Sequence, residues 1–358
     1  MAKRLANLRS QLPQNSLDAV IISQAENRRY LSGFTGSAGF LIVSQGKAFL
    51  ATDFRYIEQA QAQAPDFEVV RIKGDFAEWL PRLLSSTGAV KLGFEARDVS
   101  FSTYRDLTKA VSETKQETNL IPTDNLVESL RAVKDDEELK YLEKAAALAD
   151  AALAEVLPGV QPGISEKELA WRIESYLRQS GSEPMPFELI VASGPNSALP
   201  HARPTDKAIA AGEPVVMDIG AKVEGYCSDI TRTICLGAED TTFRRIYDIV
   251  LGAQLTAMAT LQAGMSGEQA DRLARTVIEQ ANYGDAFGHG LGHGVGLAPH
   301  EMPRLGARST DILADDMVFT VEPGIYLSGW GGVRIEDTVV LENGKVRTLT
   351  GARKTRRA

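Results

Sequence analysis

The sequence predicts an α+β protein in two domains, a smaller α/β domain over residues 1–128 and a larger one over residues 129–358. Three observations predict it. At 358 residues the chain is too long for one ordinary core. Over roughly the first 125 residues, short apolar runs alternate with helical patterns, which is the signature of α/β layering. Beyond them, capped helices are separated by apolar stretches that fold back on themselves as hairpins.

Residues 4–12 read as a short amphipathic helix, and LDAVIIS, from Leu17, as a buried strand. Residues 27–56, NRRYLSGFTGSAGFLIVSQGKAFLATDFRY, alternate glycine turns with apolar strands. EVVRI and AVKLGFEA are further strands, and FAEWLPRLLSS and FSTYRDLTKAVSET are helices. The segment holds no catalytic cluster; Asp53, Arg55 and Tyr56 are its only candidates, and a structural or interface role suits them better.

A long helix begins near Asp135, with acidic residues in its first turn where the helix dipole favours them, and stops at Pro158-Gly159. The domain boundary falls just before it. Ser165 with Glu168 caps the next helix, which Gly181 ends; its Trp171, Ile173, Tyr176 and Leu177 are assigned to the core. Two more helices follow the same pattern, one over Thr242–Gly264 and one capped by Ser266 and Gln269. The basic tail GARKTRRA reads as a frayed end.

Hydrophobic content of 44% with 24% charged residues is globular, and a net charge of −8 argues against nucleic acid or an anionic membrane as partner. No apolar run approaches the roughly 20 residues of a membrane helix, and the N-terminus lacks the apolar segment of a signal peptide. Two cysteines, Cys227 and Cys235, make no disulfide framework, so a cytoplasmic protein with reduced thiols is expected.

The densest functional signal is GHGLGHGVGL, Gly288–Leu297, followed by APHEMP. Of the four histidines, His201, His289, His293 and His300, three lie in or just after it. Glycine at every second position suggests an extended strand with one bare face, open to close backbone or ligand approach. So much glycine argues against a helix, and in a strand His289 and His293 lie roughly 13 Å apart. They are therefore expected to do different jobs, one on a metal and one on the substrate.

Two hairpins carry carboxylates. EPVVMDIGAKVEGYCSDITRTICLG turns around Val223 and Glu224, which sets Asp218 opposite Asp229, with Thr231 on the same face. VFTVEPGIYLSGWGGVRIED folds back around Gly329, which sets Glu322 opposite Glu336, with Arg334 on the Glu336 face. Facing carboxylates at about 5 Å repel, so either one is protonated or a cation sits between them. Four carboxylates and an imidazole without cysteine form a hard, oxygen-rich set suited to two divalent ions, manganese or cobalt before a structural zinc. Two close ions would make a bridging water nucleophilic at neutral pH and polarise a carbonyl, so hydrolysis is the expected chemistry. HEMPR lacks the second histidine of a helical HExxH site and Pro303 would disrupt that helix; neither GxGxxG nor GxSxG occurs.

SGPNSALPHARPTD, VVMDIGAKVEGYCSDITRT, GHGLGHGVGLAPHEMP, TVEPGIY and GVRIED together resemble the successive motifs of the pita-bread metallopeptidases, specifically aminopeptidase P and prolidase. NRRYLSGFTGS and TDFRYIEQA are similar to the creatinase-type N-terminal domain of that group. The resemblance implies Asp218, Asp229, His293, Glu322 and Glu336 as ligands of two metal ions, Asp229 and Glu336 bridging them. It implies substrate contacts for His201 and His300, His300 aiding the oxyanion, and an orienting role for His289. Glu322 would shuttle a proton to the leaving amine, Thr231 would hold Asp229, and Tyr326 and Arg334 would stand behind the ligands.

The expected activity is removal of an N-terminal residue preceding proline. TDFRYIEQA and the short N-terminal domain put aminopeptidase P, which accepts longer peptides, ahead of prolidase, which takes only dipeptides. Prolidase would need a clamp for the free carboxylate, for which Arg304 and Arg308 are candidates. Methionine aminopeptidase usually lacks the N-terminal domain seen here, and the intact ligand set opposes a nonenzymatic interaction protein. The resemblance also implies a homo-oligomer, dimer or tetramer, which a sedimentation run showing only monomer would remove.

Overall fold

The structure, a computed structural model, describes residues 1–114 and 117–357. Packing divides the chain into two units, Met1–Arg131 and Ala132–Ala358. In the first, α1 (Ala2–Gln14) buries Leu5, Leu8 and Leu12 along one stripe. There follow β1 (Ala19–Ile22), α2 (Ala25–Ser32), β2 (Phe40–Ser44), β3 (Ala48–Thr52), α3 (Ile57–Gln63), β4 (Glu68–Arg71), α4 (Phe76–Thr87), β5 (Lys91–Glu95), α5 (Phe101–Ser112), β6 (Asn119–Thr123) and α6 (Glu128–Ala132). The strands form one mixed sheet in the order β4-β3-β2-β1-β5-β6. Ile21, Ile42, Phe49 and Leu92 pack against Trp79, Leu83 and Leu84 of α4 and Leu107 and Val111 of α5, the α/β layering read from the sequence. Asp53 and Arg55 form an exposed bidentate pair, and the Tyr56 hydroxyl meets Ser37 Oγ at 2.7 Å, so these contacts are structural.

The second unit is built twice over from two helices packed on antiparallel strands. In its first half, α7 (Asp136–Val156) opens with a full capping box between Asp135 and Glu138 and ends at Leu157–Gly159. α8 (Glu166–Gln179) is capped by Ser165 Oγ alone, because the Glu168 side chain pairs with Arg172 instead. Both helices pack on β7 (Ile190–Ser193), β8 (Pro214–Ile219) and β11 (Ile230–Cys235), with the small strands β9 (Lys222–Val223) and β10 (Tyr226–Cys227) in the connection between β8 and β11. In the second half, α9 (Thr241–Thr260) and α10 (Gly267–Gln280) cover β12 (Gly292–Gly294), β13 (Glu301–Leu305), β14 (Val318–Val321), β15 (Gly324–Leu327), β16 (Gly331–Arg334), β17 (Asp337–Glu342) and β18 (Lys345–Thr348). Among the described residues no helix is long and apolar enough to cross a membrane.

Four sequence expectations are corrected. Trp171 is 63% exposed, because it lies two residues, about 200° of helix, from the fully buried Ile173. Tyr176, partly buried, does pack against the core around Ile173 as assigned. The turn in the first hairpin is Glu224-Gly225, both with positive φ (49° and 79°) as a type I′ turn requires. Pairing therefore runs Tyr226 with Val223 and Thr231 with Asp218, two residues away from the expected register. A shift of two keeps Asp218 and Asp229 on one face but sets Thr231, not Asp229, opposite Asp218.

The glycine stretch is not one strand either; only Gly292–Gly294 is extended in a ladder. Its glycines are nevertheless required by close approach, since a Cβ at Gly292 or Gly294 would lie 2.0 Å from the Thr320 or Met302 carbonyl oxygen. Finally, the C-terminal tail is pinned rather than frayed. Gly351 and Ala352 N–H donate to Asp150, Cys235 N–H to Arg356 O, and Lys354 Nζ reaches Asp337 Oδ2 at 2.5 Å. Its last residue, Ala358, lies outside the described residues.

Candidate metal centre

The second hairpin has the register expected from the sequence. β14 pairs with β17 and β15 with β16 at one constant index sum, and Glu322 and Glu336 fall opposite each other in the gap between the two ladders. Pro323 supplies no N–H there. At the gap the backbone changes partners: Glu322 N–H donates to Leu291 O at 2.8 Å and Glu336 N–H to Thr231 O at 3.1 Å. The break thus ties the ribbon to β11 and to the histidine segment, and brings its two carboxylates to Asp218, Asp229 and His293.

Ligand atoms of Asp218, Asp229 and Glu336 lie within 4.8 Å of one another, as do those of His293, Glu322 and Glu336, and those of Asp229, His293 and His300. All five expected metal ligands converge, and His300 joins them, its ring centroid 4.0 Å from that of His293. Like charges at that spacing cost about 3 kcal/mol per pair even at an effective dielectric near 20. Burial, reinforced by that repulsion, pushes Asp229 and Glu336 well above the usual carboxylate range and raises Asp218. Burial also raises Glu322, but the hydrogen bond and charge of His293 outweigh it and hold Glu322 at about 2.

Two details show that the site suits a cation. Asp218 Oδ1 is buried without a hydrogen-bond partner, while Oδ2 accepts from Arg334 Nη2 at 2.7 Å. His293 Nδ1 donates to Gly294 O at 3.1 Å, which places one ring proton there and turns Nε2 toward Glu322 Oε1 (3.3 Å) and Asp229 Oδ2 (3.7 Å), where with no metal bound it carries a second proton, the pull of Glu322 outweighing the effect of burial. A ring nitrogen aimed at two carboxylates requires a proton or a metal between them; divalent ions replace that proton and relieve the carboxylate repulsion together.

Around the cluster runs a chain of donors. Arg334 Nη1 donates to the Tyr326 hydroxyl at 2.8 Å, which lies 2.9 Å from His289 Nε2. His289 Nδ1 meets Gly290 O at 2.8 Å, so its Nε2 is the acceptor, and burial lowers its basicity and keeps it neutral. Thr231 does not hold Asp229: its Oγ1 donates to Glu336 Oε2 at 2.6 Å and accepts from Arg334 Nε at 3.0 Å. His201 and His300 are both exposed; burial lowers His300 to about 4, and neighbouring His293 and His201 act in the same direction. Arg304 pairs directly with His293 across β12 and β13, whereas Arg308 lies in a turn beyond the strand at φ 63°.

A profile of metallopeptidase family M24 matches residues 140–343, and one of the creatinase/prolidase N-terminal domain matches residues 4–133. The chain belongs to metallopeptidase family M24. This M24 chain is 38% identical over 351 residues to the Xaa-Pro dipeptidase of Pyrococcus furiosus, covering 98% of each. Among solved structures, the Xaa-Pro dipeptidase from Bacillus anthracis superposes with TM-score 0.94 at 41% identity over 99% of this chain and 98% of that one. X-Pro aminopeptidase from Thermotoga maritima MSB8 gives 0.88 at 36% over 98% of both. The pita-bread resemblance and the two-domain α+β fold are thereby confirmed, and the protein is a metal-dependent hydrolase.

Sequence reasoning missed the groups that support this M24 site from behind. Arg232 bridges Asp337 Oδ1 at 2.7 Å and donates to the backbone oxygens of Thr231, Glu336 and Ala352. Arg275, paired with buried Asp271, donates to Phe287 O and His289 O, and Asp271 accepts from Leu291 N–H. Lys134 and Glu301 form a buried pair at 2.6 Å next to His300 in the chain. The only signal was that Arg232, Asp337 and Glu301 each adjoin a candidate residue, and adjacency does not say which way a side chain points.

Proposed function

We propose that the protein hydrolyses Xaa-Pro dipeptides at the carboxylate cluster. Divalent ions held by Asp218, Asp229, His293, Glu322 and Glu336, two of them and manganese by preference, would supply Lewis acidity and an activated water. Glu322, ionised, would take the proton that the attacking water loses as it bonds to the carbonyl carbon and would pass it to the proline nitrogen as the C–N bond breaks. His300, neutral at physiological pH because burial lowers its basicity, donates an N–H to the carbonyl oxygen as negative charge develops there. His201 flanks the same bond. Tyr326, fixed by Arg334, keeps His289 in one tautomer facing the substrate. A homo-oligomer acting on proline-containing peptides belongs to the same reading.

The observation that carries the dipeptide restriction is the register of Arg304. Directly opposed residues of an antiparallel pair share a face, so Arg304 stands beside His293 with its side chain exposed. A guanidinium there suits the free carboxylate of a C-terminal proline. The sequence alone put longer peptides first; this placement, with relatives named as dipeptidases, supports the dipeptide reading. Arg304→Gln is expected to raise KM for Xaa-Pro about 10- to 100-fold, the loss of one charge-assisted contact, while leaving any cleavage of Xaa-Pro-amide unchanged. Equal losses on the two substrates would remove the clamp.

A further inference from the structure

We infer that Glu166 is a positioning residue for His201, acting through the loop of residues 194–204. Glu166 is the first residue of α8 and fully buried. Its carboxylate accepts six hydrogen bonds from both ends of that loop. Oε1 takes Ser193 N–H (2.7 Å), Ser193 Oγ (2.9 Å) and Asn196 Nδ2 (3.1 Å). Oε2 takes Thr205 N–H (3.0 Å), Thr205 Oγ1 (2.6 Å) and again Asn196 Nδ2 (3.1 Å). The backbone of α8 adds two more ties, Glu166 N–H to Lys207 O and Lys167 N–H to Thr205 O, both at 3.1 Å. Each oxygen therefore clamps one leg of the loop, and the carboxylate joins the legs.

Farther along, the loop is docked on β16. Ser197 Oγ accepts from Gly332 N–H at 2.8 Å, and Pro200 O lies 3.4 Å from Arg334 Nη1, the guanidinium that also holds Asp218. A Cβ at Gly332 would lie 2.2 Å from Ser197 O, so the approach leaves no slack. His201 follows Pro200 immediately, and its charge is felt at His300. With both legs clamped by Glu166 and Pro200 seated on Arg334, the loop fixes the backbone from which the His201 side chain projects. Misplacement of a reacting group by about 1 Å costs up to 10²-fold in rate.

The inference rests on the Xaa-Pro reading for its kinetic arm only. Glu166→Gln replaces one acceptor oxygen with an amide that cannot accept, so one leg must detach. In the metal-loaded enzyme this is expected to lower kcat/KM for Xaa-Pro about 10- to 100-fold, with bound metal per chain unchanged. In a His201→Ala background the same substitution is expected to cost less than about 2-fold, because the effect runs through His201. Thr205→Val, a milder change that keeps the fold, should show the same coupling at smaller size. Hydrogen exchange needs no substrate: Glu166→Gln should speed exchange across residues 194–204 and leave α9 and α10 unchanged. Equal kinetic costs in both backgrounds, a parallel loss of metal, or unaltered exchange in the loop would each overturn the proposal. A wild-type enzyme inactive on Xaa-Pro would sink the functional reading, and the exchange measurement would then decide the positioning role alone.

Discussion

Asp229→Asn is expected to abolish peptide hydrolysis and at the same time to stabilise the metal-free protein. Loss of a ligand removes several kcal/mol of transition-state stabilisation, about 10³-fold or more in kcat/KM. The opposite sign for apo stability follows from the cluster itself. Burial and the adjacent Glu336 and Asp218 hold the Asp229 carboxyl well above its ordinary range. A carboxyl raised in the folded state binds its proton more tightly there than in the unfolded chain. Its contribution to stability is fully present below the unfolded value, near pH 4, and is lost as pH rises through the folded value. At pH 7 the apo protein therefore carries repulsion that a neutral, isosteric amide removes. Thermal melts in chelator should place the variant above wild type at pH 7, with the gap closing toward pH 4. Added manganese should stabilise wild type by about 2.7 kcal/mol at 100 times the dissociation constant and leave the variant unmoved. A variant less stable than wild type in chelator at pH 7 would mean that Asp229 is an ordinary structural carboxylate.

Arg232→Met is the second large effect, and it acts from the opposite face of the same strands. Arg232 and Asp337 are both buried, and their neighbours in sequence, Thr231 and Glu336, face the metal cluster. Removing one partner of a buried pair costs about 3–5 kcal/mol, because the remaining charge is stranded. Here Lys354, Thr350 and Gln254 still contact Asp337, so the lower end, about 3 kcal/mol, is expected. That corresponds to a fall in Tm of about 6–12 °C for a domain of this size. The guanidinium also donates to Glu336 O, so metal affinity should drop about 10- to 100-fold. Calorimetry showing a fall of less than about 2 °C with metal affinity intact would show the pair to be dispensable.

Which parts of this were legible in the sequence follows from where the information resides. The four clustered carboxylates were legible because hairpin pairing is arithmetic, a tight turn fixing an index sum that fixes which side chains share a face, while His293 as a fifth candidate ligand came from the resemblance. For residues 318–342 the sum was right, and Pro323 interrupted the ladder without shifting it. For the first hairpin the turn was centred one residue early, which put Asp229 opposite Asp218 where Thr231 stands. The Glu224-Gly225 dipeptide carried the correct answer, since glycine tolerates the positive φ that a two-residue turn needs and glutamate accepts it at a cost. Trp171 was assigned to the core together with Ile173 and Leu177, when its phase relative to them already put it outside. The tail was read as frayed because a basic terminus carries no periodicity; its partners Asp150, Asp248 and Glu239 lie about a hundred residues or more away in the chain. Glu166, Arg232 and Arg275 were invisible for the same reason: each acts on backbone groups distant in sequence, and no local pattern announces such bonds.

The central claim, an Xaa-Pro dipeptidase built on a metal cluster, is tested most directly by hydrolysis of Xaa-Pro against Xaa-Pro-Yaa, comparing manganese-loaded and chelated wild-type protein. The account predicts cleavage of the dipeptide, little or none of the tripeptide, and loss of activity in chelator. Preferred cleavage of the tripeptide would contradict the dipeptide restriction and return Arg304 to the surface, and activity undiminished in chelator would contradict the metal centre itself.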